Sequence, residues 1–293
     1  MKKLFTMVLM LVVVLAGCGS KESTDQSGEK ESIRFSIWDE TQQEGYQKII
    51  DQFETENPNI DVTLEVTPWG DYWTKLETDA LAGTAPDVVA LDPAYYLQYQ
   101  QGDLLMNLDD IVMEKGINLS KYNQSLIDAY SVDGSLFALP RDRDVIGLYY
   151  NKQILADAGA VVPTNWDEFL TEAKKIQDYN PEIMPLMLEI GQSGHWNLLA
   201  ENGVEIIGED GQSNYNTPEA IKALQFYQDL AVKYDMIPQP SEGDIYPPDA
   251  LLSNNAAFIL AGSWVISSIE NSEVTDNIGV ALLPNVTSMT SGS

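Results

Sequence analysis

The chain has 293 residues, enough for one large domain or two of ordinary size, and its 44% apolar and 9% aromatic content excludes global disorder. With 16 Lys and Arg against 45 Asp and Glu the formal charge is −29, which excludes nucleic acid as a partner and adhesion to anionic lipid by charge alone. One Cys and one His exclude an intramolecular disulfide, a Cys-rich metal site and a multi-His zinc site. No metal and no cofactor is expected, and Ser-His-Asp chemistry would have to run through His195.

Residues 1–17 begin with Met1-Lys2-Lys3, continue as an uncharged run from Leu4 to Ala16 and end at Gly17. A basic start before an apolar run too short to span a bilayer is a secretory signal pattern. The segment Leu15-Ala16-Gly17-Cys18 resembles the lipobox of bacterial lipoproteins, in which the Cys is diacylated and becomes the first mature residue. The single Cys of the chain stands where that signal requires it, and two acyl chains on one residue anchor stably. Residues 18–32 carry no large apolar side chain and read as a flexible tether. The expected place is therefore the extracytoplasmic face of the cell membrane. The polar leash favours a Gram-positive surface, or the periplasmic side where two membranes exist.

Beyond the tether, short β-type runs alternate with amphipathic stretches. Ile33 to Trp38 alternates as a strand, and Tyr46, Ile49, Ile50 and Phe53 mark one face of a helix. Asn57-Pro58-Asn59 breaks that helix, and Ile60 to Val66 alternates again. A helix from Tyr72 to Ala82 ends at Gly83, and Val88 to Leu91 suits a buried parallel strand. This β-α-β-α-β order predicts an α/β layer with a mostly parallel sheet. Asp133-Gly134 marks a hairpin, and Val145 to Tyr150 a strand that opens a second α/β series. Asn165 caps a helix at capping-box spacing from Glu168, with Trp166, Phe169, Leu170, Ala173 and Ile176 facing inward. Met184 to Leu188 reads as a strand. Thr217-Pro218-Glu219 opens a helix to about Tyr234 that buries Ile221, Leu224, Tyr227 and Leu230 or their neighbours. Ala256 to Ala261 and Ile278 to Leu283 are two more buried strands.

Several stretches carry a resemblance to a known family: DQFETENPNIDVTLEV at 51–66, ALAGTAPDVV at 80–89, YSVDGSLFALPRDRDVIGLYYNKQIL at 130–155, PTNWDEFLTEAKKI at 163–176 and AAFILAGSWVISSI at 256–269. In this order they resemble the extracellular solute-binding proteins of bacterial sugar ABC importers, the maltose-binding-like group. The resemblance implies an α/β, two-lobed, type II periplasmic-binding-protein-like fold that closes by a hinge around its ligand. It places an N-terminal lobe at 33–143, a C-terminal lobe at 144–284 and a disordered or hinge remnant at 285–293. It also implies that the C-terminal part of the fold is missing, since the match stops within TSMTSGS at 287–293. Such a chain is expected to be marginally stable and weak in binding.

A neutral sugar offers hydroxyls at its edge and C–H groups on its faces, so carboxylates and Trp rings at strand ends are the candidates. Trp38, Asp39 and Glu40 follow the first strand; they read as a ligand loop or as a helix cap with a buried Trp. Asp92 follows Val88 to Leu91 and is a ligand group or a helix cap. Within Arg141-Asp142-Arg143-Asp144, the resemblance puts a sugar-binding carboxylate at Asp144 with Arg143 beside it, and a solvated, mutually paired crossing is the other reading. Trp264 matches a position where the family stacks an aromatic on the sugar, and small residues before it let the backbone approach the ligand; core packing is the alternative. Trp196, with His195 in a Gly-rich turn at Gly191 to Gly194, reads equally as site or scaffold. Tyr46 fits the core and Trp69 a rim.

The implied partners are a carbohydrate, the permease subunits of the ABC transporter, and the membrane through lipid on Cys18; the protein is expected to act as a monomer and not as an enzyme. A secreted glycoside hydrolase needs two carboxylates in a cleft, and 45 acids make that signal worthless. A cation receptor would need an Asp-rich loop of EF-hand spacing. A uronate, peptide or polyamine receptor on the same scaffold stays open, with Arg141 and Arg143 the Arg residues that follow Arg34.

Overall fold

The computed structural model describes residues 30–188, 192–208, 210–239 and 246–285. The signal segment, Cys18, the tether up to residue 29, Gly191 and residues 286–293 lie outside the described residues. The chain divides after Ala90 into two units, so the lobe boundary expected at 143/144 falls within the second of them.

The first unit is built on alternation. β1 (Glu31–Ile37), α1 (Gln43–Glu56), β2 (Ile60–Val66), α2 (Trp69–Ala82) and β3 (Val88–Val89) form a parallel sheet of order β2-β1-β3. Gly83 closes α2 at φ 71°, the left-handed conformation that ends a helix without a Cβ clash. The strand expected at Val88 to Leu91 shortens to two residues. The pairing ends with the Ala90 N–H on the Ser36 carbonyl at 2.9 Å, and the Tyr72 hydroxyl bonds the Ala90 carbonyl at 2.9 Å. The face expected on α1 is only partly buried. Ile50 is enclosed and Tyr46 packs edge-on against Phe35, whereas Ile49 and Phe53 are exposed, because the sheet meets just one flank of the stripe. Arg34 grips Glu65 with two N–H groups at 2.6 and 3.1 Å and the Thr84 carbonyl at 2.7 Å. That hydrogen bond from Arg34 holds the Glu65 carboxyl below the usual carboxylate range.

The second unit begins with α3 (Pro93–Gln101), α4 (Asp109–Glu114), α5 (Gln124–Ala129) and the hairpin of β4 (Ser131–Val132) with β5 (Ser135–Leu136). Asp133 and Gly134 both have positive φ, the primed turn that matches strand twist. Tyr96, Ile127, Tyr130 and Leu136 form the core of this segment. There follow β6 (Gly147–Asn151), α6 (Lys152–Ala158), α7 (Trp166–Tyr179), β7 (Met184–Met187), α8 (Gln192–Glu201), α9 (Pro218–Val232), α10 (Pro247–Leu252), β8 (Ala256–Ala261), α11 (Ile266–Glu270) and β9 (Ile278–Ala281). The sheet order is β7-β8-β6-β9, with β7 parallel to β8 and β6 antiparallel to both β8 and β9. The expected parallel sheet is thus found in the first unit, and the second is mixed, because β6 runs against its neighbours.

Two helices depart in detail from their sequence reading. Asn165 caps α7 through the Glu168 N–H at 2.8 Å, but the Glu168 carboxylate closes on the Thr164 N–H and hydroxyl, one residue earlier than a capping box places it. α9 buries Ala220, Ala223, Leu230 and Ala231 and leaves Ile221 exposed, since small residues let it sit close on Leu199 of α8.

A buried amide ties the second sheet to its turns. Asn151, fully buried, donates to Asn254 Oδ1 at 2.7 Å and accepts from Ile154 N–H at 3.0 Å and Asn277 Nδ2 at 2.8 Å. It caps α6, and its partners stand just before β8 and β9. Asn151→Ala removes the cap and strands two amides, so we expect a loss of about 2–4 kcal/mol in chemical denaturation. A loss under about 0.5 kcal/mol would mean that the three bonds are dispensable.

Candidate functional site

The strand directions of the second unit decide which residues meet. β6 is antiparallel to β8 with Gly147 opposite Ala261, so residues just before β6 and just after β8 leave the sheet at one edge. β7 is parallel to β8 with Met187 opposite Ile259, and the chain after β7, leading to α8, leaves at that same edge. Asp144, Trp264 and Trp196 therefore come from three strand ends at one rim, where open α/β sheets hold ligands.

At that rim the Ser263 hydroxyl donates to Asp144 Oδ1 at 2.6 Å and accepts the Val145 N–H at 3.3 Å. Asp144 itself is exposed and keeps acceptor capacity for an incoming hydroxyl. Burial pushes the Tyr149 phenol up, and the Asp144 charge adds to it. Trp264, 37% exposed, lies beside Ser263 in the 3-10 turn Ser263–Val265. It lines a pocket with Ile146, Asn197, Tyr246, Pro247 and Leu260. The small residue before it is also needed by the ring itself. A Cβ on Gly262 would lie 1.8 Å from Trp264 Cζ3, so the glycine is the floor on which the indole rests.

Trp196 stands on α8 and not in a Gly-rich turn. Its indole N–H donates to the Tyr215 hydroxyl at 2.7 Å, and His195 Nε2 lies 2.7 Å from the same oxygen. Arg143 is exposed, and Arg141 pairs with Asp142 at 2.9 Å. Asp92, half-buried, caps α3 through the Ala94 N–H at 2.8 Å. It also faces Tyr130, whose phenol is pushed up to about 12 by burial first and then by the charges of Asp92 and Asp142, with Arg141 opposing.

In the first unit Trp38 follows β1 and packs against Trp69, Tyr72 and Trp73 with ring centroids 5.3, 5.4 and 5.7 Å away. Asp39 caps the 3-10 turn Glu40–Gln42, accepting from the Thr41 N–H at 2.8 Å and hydroxyl at 2.7 Å, and Glu40 is exposed. Both carboxylates read as ligand group or cap, Asp39 and Asp92, do cap, which leaves lone pairs on each for other donors.

Sequence reasoning passed over Asn197, Tyr215 and Tyr246. Tyr246-Pro247-Pro248 carried a signal, an aromatic beside stiff backbone. Tyr215, between Asn214 and Asn216, carried none. Among the described residues no group of three or more His, Cys, Asp or Glu is placed to hold a metal ion, and no helix is long and apolar enough to cross a membrane.

Comparison with known proteins sets this rim in context. The family model for bacterial extracellular solute-binding proteins matches residues 38–290. A putative binding protein of Brucella abortus is 27% identical over 213 residues, 70% of this chain and 51% of that protein. The multiple sugar-binding protein of Streptococcus mutans is 26% identical over 293 residues, 93% of this chain and 66% of that one. The chain thus spans about half to two-thirds of the length of the curated relatives it matches. Among solved structures, an ABC substrate-binding protein of Listeria monocytogenes in complex with cycloalternan superposes with a TM-score of 0.80 at 24% identity, covering 88% of this chain and 67% of that one.

Gly262→Ala tests how Trp264 is held. The indole is the flexible partner in the clash, so we expect it to swing outward with little loss of melting temperature, shifting tryptophan emission to the red. The same substitution on Trp264→Phe should give no such shift. An unmoved spectrum would show that the ring does not rest on Gly262.

Proposed function

The chain belongs to the bacterial extracellular solute-binding proteins, with their maltose-binding-like α/β fold, and from that premise we propose that it captures a carbohydrate, mono- or oligosaccharide, and delivers it to the permease subunits of an ABC importer. The observation that carries this reading is the convergence of an exposed carboxylate, Asp144, with a half-open indole, Trp264, across the Ser263 hydroxyl. A carboxylate accepts from sugar hydroxyls, and an indole face covers sugar C–H groups. The sugar binding stated in the name of the Streptococcus mutans relative and the cycloalternan held in the Listeria structure support a saccharide ligand. Asp92, Arg143 and Trp196 are proposed as further contacts in the C-terminal part, and Trp38, Asp39 and Glu40 as contacts from the N-terminal part. In this reading the lobes are residues 33–143 and 144–284. Binding and release need no bond-making, so no catalytic step is assigned.

We further propose that the protein works as a monomer at the outer face of the membrane, tethered by two acyl chains on Cys18. Cys18→Ser is expected to release the protein to the medium or leave the precursor uncut, read by fractionation and mass of the N-terminus. A normally processed, anchored variant would end the lipoprotein reading.

The central test is thermal unfolding against maltose, lactose, galactobiose and arabinobiose, with glucuronate, spermidine and a dipeptide as charged comparisons. A ligand at one hundred times its Kd stabilises by about 2.7 kcal/mol, a readily measured rise in Tm. We expect a neutral saccharide to give it and to be recovered uncleaved. Trp264→Ala and Asp144→Ala should each weaken calorimetric affinity, by about 0.5–1.5 kcal/mol for ring contact beyond area burial and about 1–3 kcal/mol for a hydroxyl left unpaired. Stabilisation by a charged comparison alone, or affinity unchanged in both variants, overturns the assignment.

A further inference from the structure

The residues His195 and Trp196 are neighbours on α8, about 100° apart around the helix, so their side chains leave in different directions. Both nevertheless end on one atom. Tyr215 Oη lies 2.7 Å from Trp196 Nε1 and 2.7 Å from His195 Nε2. A phenol has one proton and two lone pairs, and an indole N–H only donates. Trp196 therefore occupies one lone pair, and His195 either takes the phenol proton or fills the second.

The segment that presents this oxygen is itself cross-tied. Ile207 bridges Ser213, the Asn214 N–H bonds the Ile206 carbonyl at 3.0 Å, and Asn214 Nδ2 bonds the Glu205 carbonyl at 2.6 Å. The Tyr215 ring packs on the small core of Leu199, Val204, Ala220 and Ala223, and it lies T-shaped to the His195 ring at a centroid distance of 5.7 Å. Trp196 by contrast is 38% exposed. An exposed indole without a fixed anchor spreads over several rotamers, and a ligand that stacks on it must first gather them.

We infer that Tyr215 is a positioning residue: it holds the Trp196 indole in a single orientation at the rim, ready to cover a sugar face, with His195 bracing the same oxygen from the other side. This inference rests on the carbohydrate reading for its ligand, but the hold on the ring is a property of the unliganded protein and is tested there.

The test uses the protein labelled with 5-fluorotryptophan, with the Trp196 fluorine resonance assigned through Trp196→Phe. In the absence of any sugar, Tyr215→Phe should shift or broaden that resonance while the core Trp166 resonance stays in place. Calorimetry with maltose, lactose and galactobiose then follows. Tyr215→Phe should weaken binding about 3- to 10-fold, the size of one side chain's lost order. Trp196→Ala should weaken it at least as much, and adding Tyr215→Phe to Trp196→Ala should cost nothing more, because coupled residues do not add. An unmoved Trp196 resonance overturns the positioning role and leaves the carbohydrate reading standing. Additive losses in the double variant also overturn it, since Tyr215 would then act apart from Trp196. A resonance that still moves in a protein stabilised by a charged comparison ligand alone overturns the carbohydrate reading instead, and with it the ligand half of this inference. A displaced Trp166 resonance would assign Tyr215 to the scaffold and overturn the proposal likewise.

Discussion

A strand enclosed on both faces has little freedom of register, because a slip of one residue would carry every side chain to the opposite layer. β8 is such a strand: all six residues from Ala256 to Ala261 are buried. Ala257, Phe258 and Leu260 join the core with α7 and α9, and Ala256, Ile259 and Ala261 join the core with α10 and α11. With β8 pinned, the pairing of Gly147 with Ala261 sets where β6 starts and therefore where Asp144 stands. Ser263 and Trp264 follow at the next residues. The placement of the rim chemistry is thus a consequence of apolar packing one layer below.

Glycine gives the aromatic groups of this unit their places. Gly262 lies under the Trp264 ring, and Gly279 lies under Tyr150, where a Cβ would come 2.3 Å from Tyr150 Cζ. Tyr150 and Gly279 are opposite partners on β6 and β9, so the ring covers backbone that a side chain would otherwise protect. In each case a missing methyl group is the condition for a ring orientation. Trp196, on α8, is held in another way, by a hydrogen bond to Tyr215.

The acidic charge is distributed with the same economy. Carboxylates and amides next to helix starts take N–H groups, as Asp39, Asp92, Asn151 and Asn165 do, which uses side-chain oxygens where the helix dipole favours them. Glu65 is committed to Arg34, and Glu172 to Lys175 and the Val161 N–H. Asp144 differs from these: its partner is a hydroxyl that can turn, and its surroundings are open.

Residue periodicity alone determined a large part of this protein. The positions of β2, β8 and α7, the Gly83 stop, the Asp133-Gly134 turn and the Thr217 cap were all legible, because each rests on interactions within a few residues of chain. Asp144 and Trp264 were named as candidates through family resemblance, and periodicity had no means of pairing them. What tertiary structure decided was direction and partnership. The antiparallel entry of β6 made the second sheet mixed and joined residues 119 apart in sequence at Ser263 and Asp144. It also turned Ile49 and Ile221 outward from stripes that looked uniform, and it gave Tyr215, in a stretch with no apolar pattern, an oxygen that two rings share. Local propensity is written in neighbouring residues, whereas a strand's direction and a ring's anchor depend on groups far away in the chain, and these meet only when the core closes around β8.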